Sequence, residues 1–359
     1  MLKTVGTILL VAVLAIAAFA LRTAYLAGYF RTINPRFDGT CRLIDGPVGS
    51  EDLTVDRGAG LAYISSTDRR AAVMGNPRPG AIYSYDLNAE SAAPINLTAD
   101  ADTSFQPHGL SLWIAPDGRR VLYVINHPAP GTRPYAHSVE VFEVVASGLR
   151  HRSTIIDARL VMPNDLVAVD EDRFYLTNTH RNPPGRMQTI ETYLRLRGAN
   201  VLYYGRSGFE VAADDLILPN GINVSRDGKT IYVASMTMQE VLIYDRDPAT
   251  GALQLRGGIP VGSGLDNIDV DDDGSLWIGA HPNLLAVPAL RDDPKAIAPS
   301  QALRVALSGG EAKVEEVYLD RGEQISAASV AVHSGDRLLL GQIFGNGILD
   351  CRMNKSPAA

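Results

Sequence analysis

Cysteine and tryptophan are scarce in this chain, with two of each in 359 residues. Two cysteines exclude a disulfide-dense scaffold and a four-cysteine zinc site. Histidine is sparse as well, seven in all, and no His-Glu-x-x-His pair occurs. There is no Gly-x-Ser-x-Gly turn to present a hydrolase serine, no Walker loop and no Cys-x-x-Cys. Gly345-Asn346-Gly347 lacks the third glycine of a dinucleotide loop. Net positive charge is also missing: Lys plus Arg is 33 against 40 for Asp plus Glu, a formal charge of −7. That balance argues against a nucleic-acid partner, which needs a basic face. Charged residues make up 20% and hydrophobic residues 46%, so the chain is globular rather than disordered.

What is present begins with one long apolar run. No charged side chain occurs between Lys3 and Arg22, and Val5 to Leu21 reads VGTILLVAVLAIAAFAL. A secretory h-region spans roughly 7–15 residues and a membrane-crossing helix about 17–25. Ala18-Phe19-Ala20 fits a small-residue cleavage pattern, while the apolar continuation Thr23 to Phe30 suits a retained anchor. Both readings make the chain exported: membrane-anchored in one case, secreted or periplasmic in the other. Export makes a disulfide chemically reasonable. Residues 1–35 are therefore set apart as a hydrophobic signal or anchor segment, with one folded domain over 36–354.

That domain repeats. Asp117-Gly118, Asp227-Gly228 and Asp273-Gly274 each precede an apolar run, RRVLYVIN, KTIYVAS and SLWIGA. Asp-Gly between apolar alternations is a hairpin signal. Ahead of the turns lie short strand-like phrases led by His108, Asn164, Asn220 and Asn267, at spacings of 56, 56 and 47. Extension in both directions gives six units, each long enough for four short strands. Such periods imply an all-β, six-bladed β-propeller. Cys41 precedes the first unit and Cys351 ends the last, 310 positions apart. If the final blade borrows a strand from the N-terminal side, the two cysteines become neighbours and a disulfide closes the ring. Two unpaired buried thiols are the alternative.

The start of each inner strand faces one mouth of a propeller's channel. Those positions hold Glu51 and Asp52, His108, Asn164 and Asp165, Asn220, and Asp266 and Asn267. Singly, Asn and Asp before a strand are ordinary turn residues. Their recurrence at blade spacing points to converging oxygens, the donor set of calcium, whereas zinc favours His or Cys. His108 and His127 sit at the start and end of one hairpin, where two imidazoles can act as base and proton shuttle. The acidic run Asp269, Asp271, Asp273 lacks the closing Glu of an EF-hand, because Ala280 stands at its twelfth position, and reads as a solvated turn.

The phrases GSEDL (Gly49 to Leu53), GLAYISS (Gly60 to Ser66), PHGLS (Pro107 to Ser111), NHP (Asn126 to Pro128), NGIN (Asn220 to Asn223) and LWIG-HPN (Leu276 to Asn283) carry more than composition. With ND-VAV at Asn164 to Val169 and DNI-VD at Asp266 to Asp271, they resemble the paraoxonase/arylesterase family from about Cys41 to Cys351. The resemblance implies two calcium ions in the channel. It places the catalytic ion on Glu51, Asn164, Asn220, Asp266 and Asn267. A deeper structural ion falls on Asp52, Asp165 and the backbone carbonyl of Leu110. His108 becomes the base with His127 as its partner, Asp266 both ligand and electrostatic orienter, and His281 and His180 pocket residues. It also implies the Cys41–Cys351 disulfide and a retained N-terminal segment. Segments Thr67 to Pro79 and Arg181 to Arg197 depart from the animal members, so substrate choice does not transfer. Ile190, Tyr193 and Leu194 form either an amphipathic lid or a core-packing helix.

The expected activity is calcium-dependent hydrolysis of lactones and aryl esters, with a small-molecule substrate and the membrane as partners. The alternatives are a sugar-lactonase or strictosidine-synthase-like propeller, and a non-catalytic exported propeller whose calcium is structural.

Overall fold

The computed structural model describes residues 2–134 and 136–354. Twenty-four strands form six four-stranded antiparallel sheets. The inner strands are Leu53–Asp56, Pro107–Ile114, Pro163–Asp170, Pro219–Val224, Gly264–Val270 and Ala328–Ser334. Each touches the next, and the last touches the first, which closes the ring of a six-bladed propeller.

Alternation along the strands explains the packing. On Pro163–Asp170, Leu166 and Ala168 join Tyr123, Ile125 and Phe174 in one core, while Val167 joins Ile222, Ile231 and Val233 in the next. One strand thus feeds the two blade interfaces that flank it, and both faces are buried. Burial of each such side chain contributes roughly 1.5–3 kcal/mol.

The ring is closed by the chain's own ends. Strand Gly39–Val48 completes the last blade, antiparallel to Asn346–Met353, with Cys41 directly opposite Cys351. The two form a disulfide across 310 positions, which removes the reading of two unpaired thiols. Linking residues so far apart restricts the unfolded chain, by up to about 5 kcal/mol in the chain-entropy account.

Helix α1 (Leu2–Leu26) contains one apolar stretch, Lys3–Leu26, long enough to cross a membrane and unburied along its length. Its end docks on the propeller. Leu284 N–H donates to the Ala27 carbonyl at 2.9 Å, and Gln239 Nε2 donates to the Leu26 carbonyl at 2.6 Å. Arg31 pairs with Glu316 at 2.5 Å. The segment read as a leader is therefore tied to the fold at Leu26, Ala27 and Arg31. Three short helices interrupt the blades: α2 (Arg69–Val73), α3 (Arg186–Leu194) and α4 (Val287–Asp292).

One expectation fails in part. Asp269 and Asp271 are each only 8% exposed, so the acidic run is a solvated turn only at its tip, Asp272 and Asp273. Arg57 lies against both carboxylates, and His333 binds Asp271.

Candidate functional site

Five of the six inner strands carry a bulge, and in four of them it falls on the residues singled out above. Between Pro107, opposite Asn126, and Leu110, opposite Val124, the inner strand has two residues where its partner has one. Those two are His108 and Gly109. The same offset isolates Asn164-Asp165, Asn220-Gly221 and Asp266-Asn267. A bulge leaves its extra residue unpaired and re-aims its side chain. Here four bulges turn polar side chains toward the channel. Two of them need glycine. A Cβ on Gly109 would lie 2.4 Å from the Asn164 carbonyl, and one on Gly221 2.4 Å from the Asp266 carbonyl. Neighbouring blades approach too closely there for any side chain.

The bulges and the Glu51-Asp52 pair build two layers. In the first, Glu51 Oε2, Asn164 Oδ1, Asn220 Oδ1, Asp266 Oδ1 and Asn267 Oδ1 are buried and have no hydrogen-bond partner among the described residues. Unpartnered buried oxygens cost about 1–3 kcal/mol each, so five in one place call for a ligand. Asn267 Nδ2 donates to Glu51 Oε1 at 3.0 Å, which ties two of these side chains together. In the second layer every carboxylate oxygen meets a backbone amide. Asp52 accepts from Leu53 and Leu110 N–H, both at 2.8 Å. Asp165 accepts from Leu166 at 2.7 Å and Ile222 at 2.8 Å.

Four carboxylates are thus almost fully enclosed: Glu51, Asp52, Asp165 and Asp266. Burial pushes the Glu51 carboxyl up to about 8, with Asp266 adding to the shift and Arg69 opposing it. Burial first, then neighbouring carboxylates, lifts Asp52 well above the usual range. Asp165 is raised chiefly by burial too, against the amides that bind it. A hard divalent cation fits this donor set of carboxylate and amide oxygens. Carboxylates and imidazoles alone make no cluster of three among the described residues. Three of the five unpartnered oxygens belong instead to asparagine amides.

The histidines form an array that differs from a simple pair. His108 and His127 are edge to face, with ring centres 4.9 Å apart. The contacts of each lead elsewhere. His108 Nδ1 accepts from Arg69 at 2.9 Å, and its Nε2 lies 3.2 Å from Asn164 Nδ2. His127 Nδ1 meets His137 Nδ1 at 2.6 Å, while its Nε2 has no partner. Burial lowers the pKa of all three, reinforced by Arg69 at His108 and by His137 at His127.

His281 Nε2 binds Asp266 Oδ2 at 2.8 Å and is 1% exposed. His180 sits farther out, bridging Thr179 at 2.9 Å and Thr192 at 3.1 Å. Both line a cavity of about 730 Å³ whose apolar wall includes Leu284, Leu285, Val287 and Ile343. Thr23 and Ala27, at the end of the apolar N-terminal segment, close one side of it. Helix α3 forms another wall. Its Ile190, Tyr193 and Leu194 are 41–51% exposed, so it is a surface helix beside the cavity and not a core-packing one.

Arg69 and His137 escape the sequence reading. Arg69 follows GLAYISS within Thr67 to Pro79, a segment with no repeat to flag it. His137 ends the turn-rich stretch after Asn126-His127-Pro128, which has no period at all. Only their contacts reveal them.

The arylesterase family model matches residues 33–353. Human serum paraoxonase/arylesterase 1 is 33% identical over 326 residues, covering 88% of this chain and 89% of that protein. Rat serum paraoxonase/arylesterase 2 is 32% identical over 314 residues, covering 85% and 86%. Among solved structures, a gluconolactonase from Xanthomonas campestris superposes with a TM-score of 0.54 at 16% identity, covering 90% of this chain and 99% of that one. The calcium-binding protein regucalcin from Agrobacterium tumefaciens does so at 0.52 and 13%, with the same coverage. The last two share the fold. The first two, with the family match, show that this chain belongs to the arylesterase family.

Proposed function

We propose that the chain is a calcium-dependent hydrolase of lactones and aryl esters, held at a membrane by α1. The carrying observation is the ring of five buried, unpartnered oxygens from Glu51, Asn164, Asn220, Asp266 and Asn267. These side chains would hold one ion, and Asp52, Asp165 and the Leu110 carbonyl a second beneath it. Held by the first set, calcium would supply Lewis-acid polarisation of a substrate carbonyl. His281 orients Asp266 through their 2.8 Å contact. The imidazole pair of His108 and His127 activates water, since neutral histidines within one ring contact can take and pass a proton. The 730 Å³ cavity receives the acyl or aryl body of the substrate on its apolar wall and keeps water away from it. The names of the curated relatives support ester hydrolysis, and a lactone is a cyclic ester.

The test is turnover of phenyl acetate and a panel of γ- and δ-lactones by the full-length protein, with calcium and with a strong chelator. Turnover in calcium that disappears on chelation is expected. Full activity in chelator would remove the metal from the reading. No turnover in either condition would favour a calcium-stabilised binding propeller.

A further inference from the structure

His108 is faced by two hydrogen-bond donors, one at each ring nitrogen. Arg69 NH2 lies 2.9 Å from Nδ1, and Asn164 Nδ2 lies 3.2 Å from Nε2. An imidazole has at most one ring lone pair, so it can accept from only one of them. The two donors are not equal. Guanidinium has five N–H groups and no acceptor, whereas the Asn164 amide can let its longer contact go while its Oδ1 stays with the other unpartnered oxygens. A charge-assisted hydrogen bond is also roughly twice as strong as a neutral one. Arg69 is moreover held in place. Its NH1 donates to the Gly49 carbonyl at 2.9 Å and to the Ile343 carbonyl at 3.3 Å. Asp68 caps α2 through Ala71 N–H at 2.9 Å and fixes the backbone that carries it. The lone pair therefore belongs to Nδ1 and the proton to Nε2. That N–H has no good acceptor: Glu51 Oε2 is 3.7 Å away. It is an unused donor among the unpartnered oxygens.

We infer that Arg69 is a positioning residue that fixes His108 in its Nε2–H form, so that His108 donates a hydrogen bond to the substrate carbonyl oxygen instead of taking the proton from water. This rests on the ester-hydrolase reading and divides the labour of the imidazole pair. Proton acceptance falls to His127, whose Nε2 is free and whose Nδ1 is tied to His137. Water's oxygen bonds to the carbonyl carbon as its proton passes to His127, and the carbonyl π pair moves to the oxygen that His108 faces. Collapse breaks the ester C–O bond, and the proton returns from His127 to the leaving alkoxide. A donor aimed at that oxygen acts where charge develops, the position at which hydrogen bonds count most.

The experiment reads the tautomer directly in full-length, 15N-histidine-labelled protein, in chelator and again with calcium. The His108 signals are assigned by their loss in His108→Gln. Wild type is expected to show a bare Nδ1 and a protonated Nε2, as is Arg69→Lys. Arg69→Leu should move the proton to Nδ1 in a substantial fraction of molecules. With calcium, Arg69→Leu should lose about 10–100-fold in kcat on phenyl acetate with KM within about twofold. Added guanidinium should restore part of that loss. A wild-type His108 protonated at Nδ1 overturns the inference, as does an Arg69→Leu protein with the wild-type tautomer. If Arg69→Leu fails to fold, the wild-type spectrum still decides. Absence of turnover in wild type would strike the hydrolase reading alone and leave the tautomer result standing.

Discussion

The two ends of the central channel are made from the two ends of the same inner strands, and they treat buried acid in opposite ways. At the starts of the strands, Glu51, Asp52, Asp165 and Asp266 face one another, and the cation beside them is Arg69, 4.0 Å from Glu51. At the far ends, Asp269 and Asp271 meet Arg57, which also donates to the His333 carbonyl at 3.0 Å. His333 binds Asp271 at 2.5 Å and stacks on Trp277, whose indole N–H donates to the same carboxylate at 3.2 Å. Arg57 comes from the first blade and its acids from the fifth, so this cluster staples the ring. A buried carboxylate needs a partner for its charge. One end finds a cation within the chain, and at the other one oxygen each of Glu51 and Asp266 has no hydrogen-bond partner among the described residues. That difference, rather than burial, marks the Glu51 end as the candidate site.

The strongest way to break the comparison is to remove charge at the unpartnered end. Glu51→Gln keeps the shape and hydrogen-bonding reach of the side chain. It should reduce kcat/KM for phenyl acetate by about 10³-fold, the upper range for deleting one preorganised electrostatic group. Calcium affinity, followed by titration calorimetry, should fall with it. A variant that keeps both would show that the orphaned oxygens hold no ion.

Arg57→Leu tests the other end. It strands two buried carboxylates, so the protein should lose about 3 kcal/mol of stability in denaturant titration, within the range for breaking a buried pair. Calcium affinity should stay within about twofold, because the lesion lies at the opposite mouth. Parallel loss of calcium affinity would mean that the two ends are not separable.

The Cys41→Ser, Cys351→Ser double variant supplies the baseline. The disulfide lies on the outer strands of the last blade, away from both mouths. Its loss should cost about 2 kcal/mol, since the paired strands remain. Activity of the folded fraction should be unchanged.

How much of this is legible in the sequence follows from the range over which its parts meet. The blades can be read because each is a local unit: turns between apolar alternations recur about every fifty residues, with leading residues 56, 56 and 47 apart. The candidate site can be read because polar side chains recur at the starts of the inner strands, at blade spacing. What cannot be read is which acid has a partner. Arg57 lies 212 positions from Asp269, and His333 lies 62 from Asp271. No local pattern joins them, and the acidic run looks solvated as a result. Arg69 is hidden in the same way, 39 positions before His108 and on a helix of five residues. Periodicity reveals the scaffold and the groups it repeats. A single side chain arriving from another blade leaves no trace.

The finest comparison is a pH series, since protons compete for the same oxygens as calcium. In chelator, burial holds the Glu51 carboxyl up to about 8, against an ordinary value of 4.5 that the unfolded chain regains. Between those values the folded protein keeps a proton that the unfolded chain has released. Its stability is full below about pH 4.5 and is lost as pH rises through 8. Asp52 and Asp165 are raised in the same direction and steepen the loss. With calcium bound, these carboxyls are ionised against the metal, and their share of the slope vanishes. Asp269 is raised too, by burial opposed by Arg57, and it contributes equally with and without calcium. The melting temperatures with calcium and with chelator should therefore lie close together at pH 5 and diverge by several degrees at pH 8. A gap independent of pH would mean that the acids of the unpartnered end are already ionised without an ion, and that the chain balances their charge itself, as it does at the other mouth.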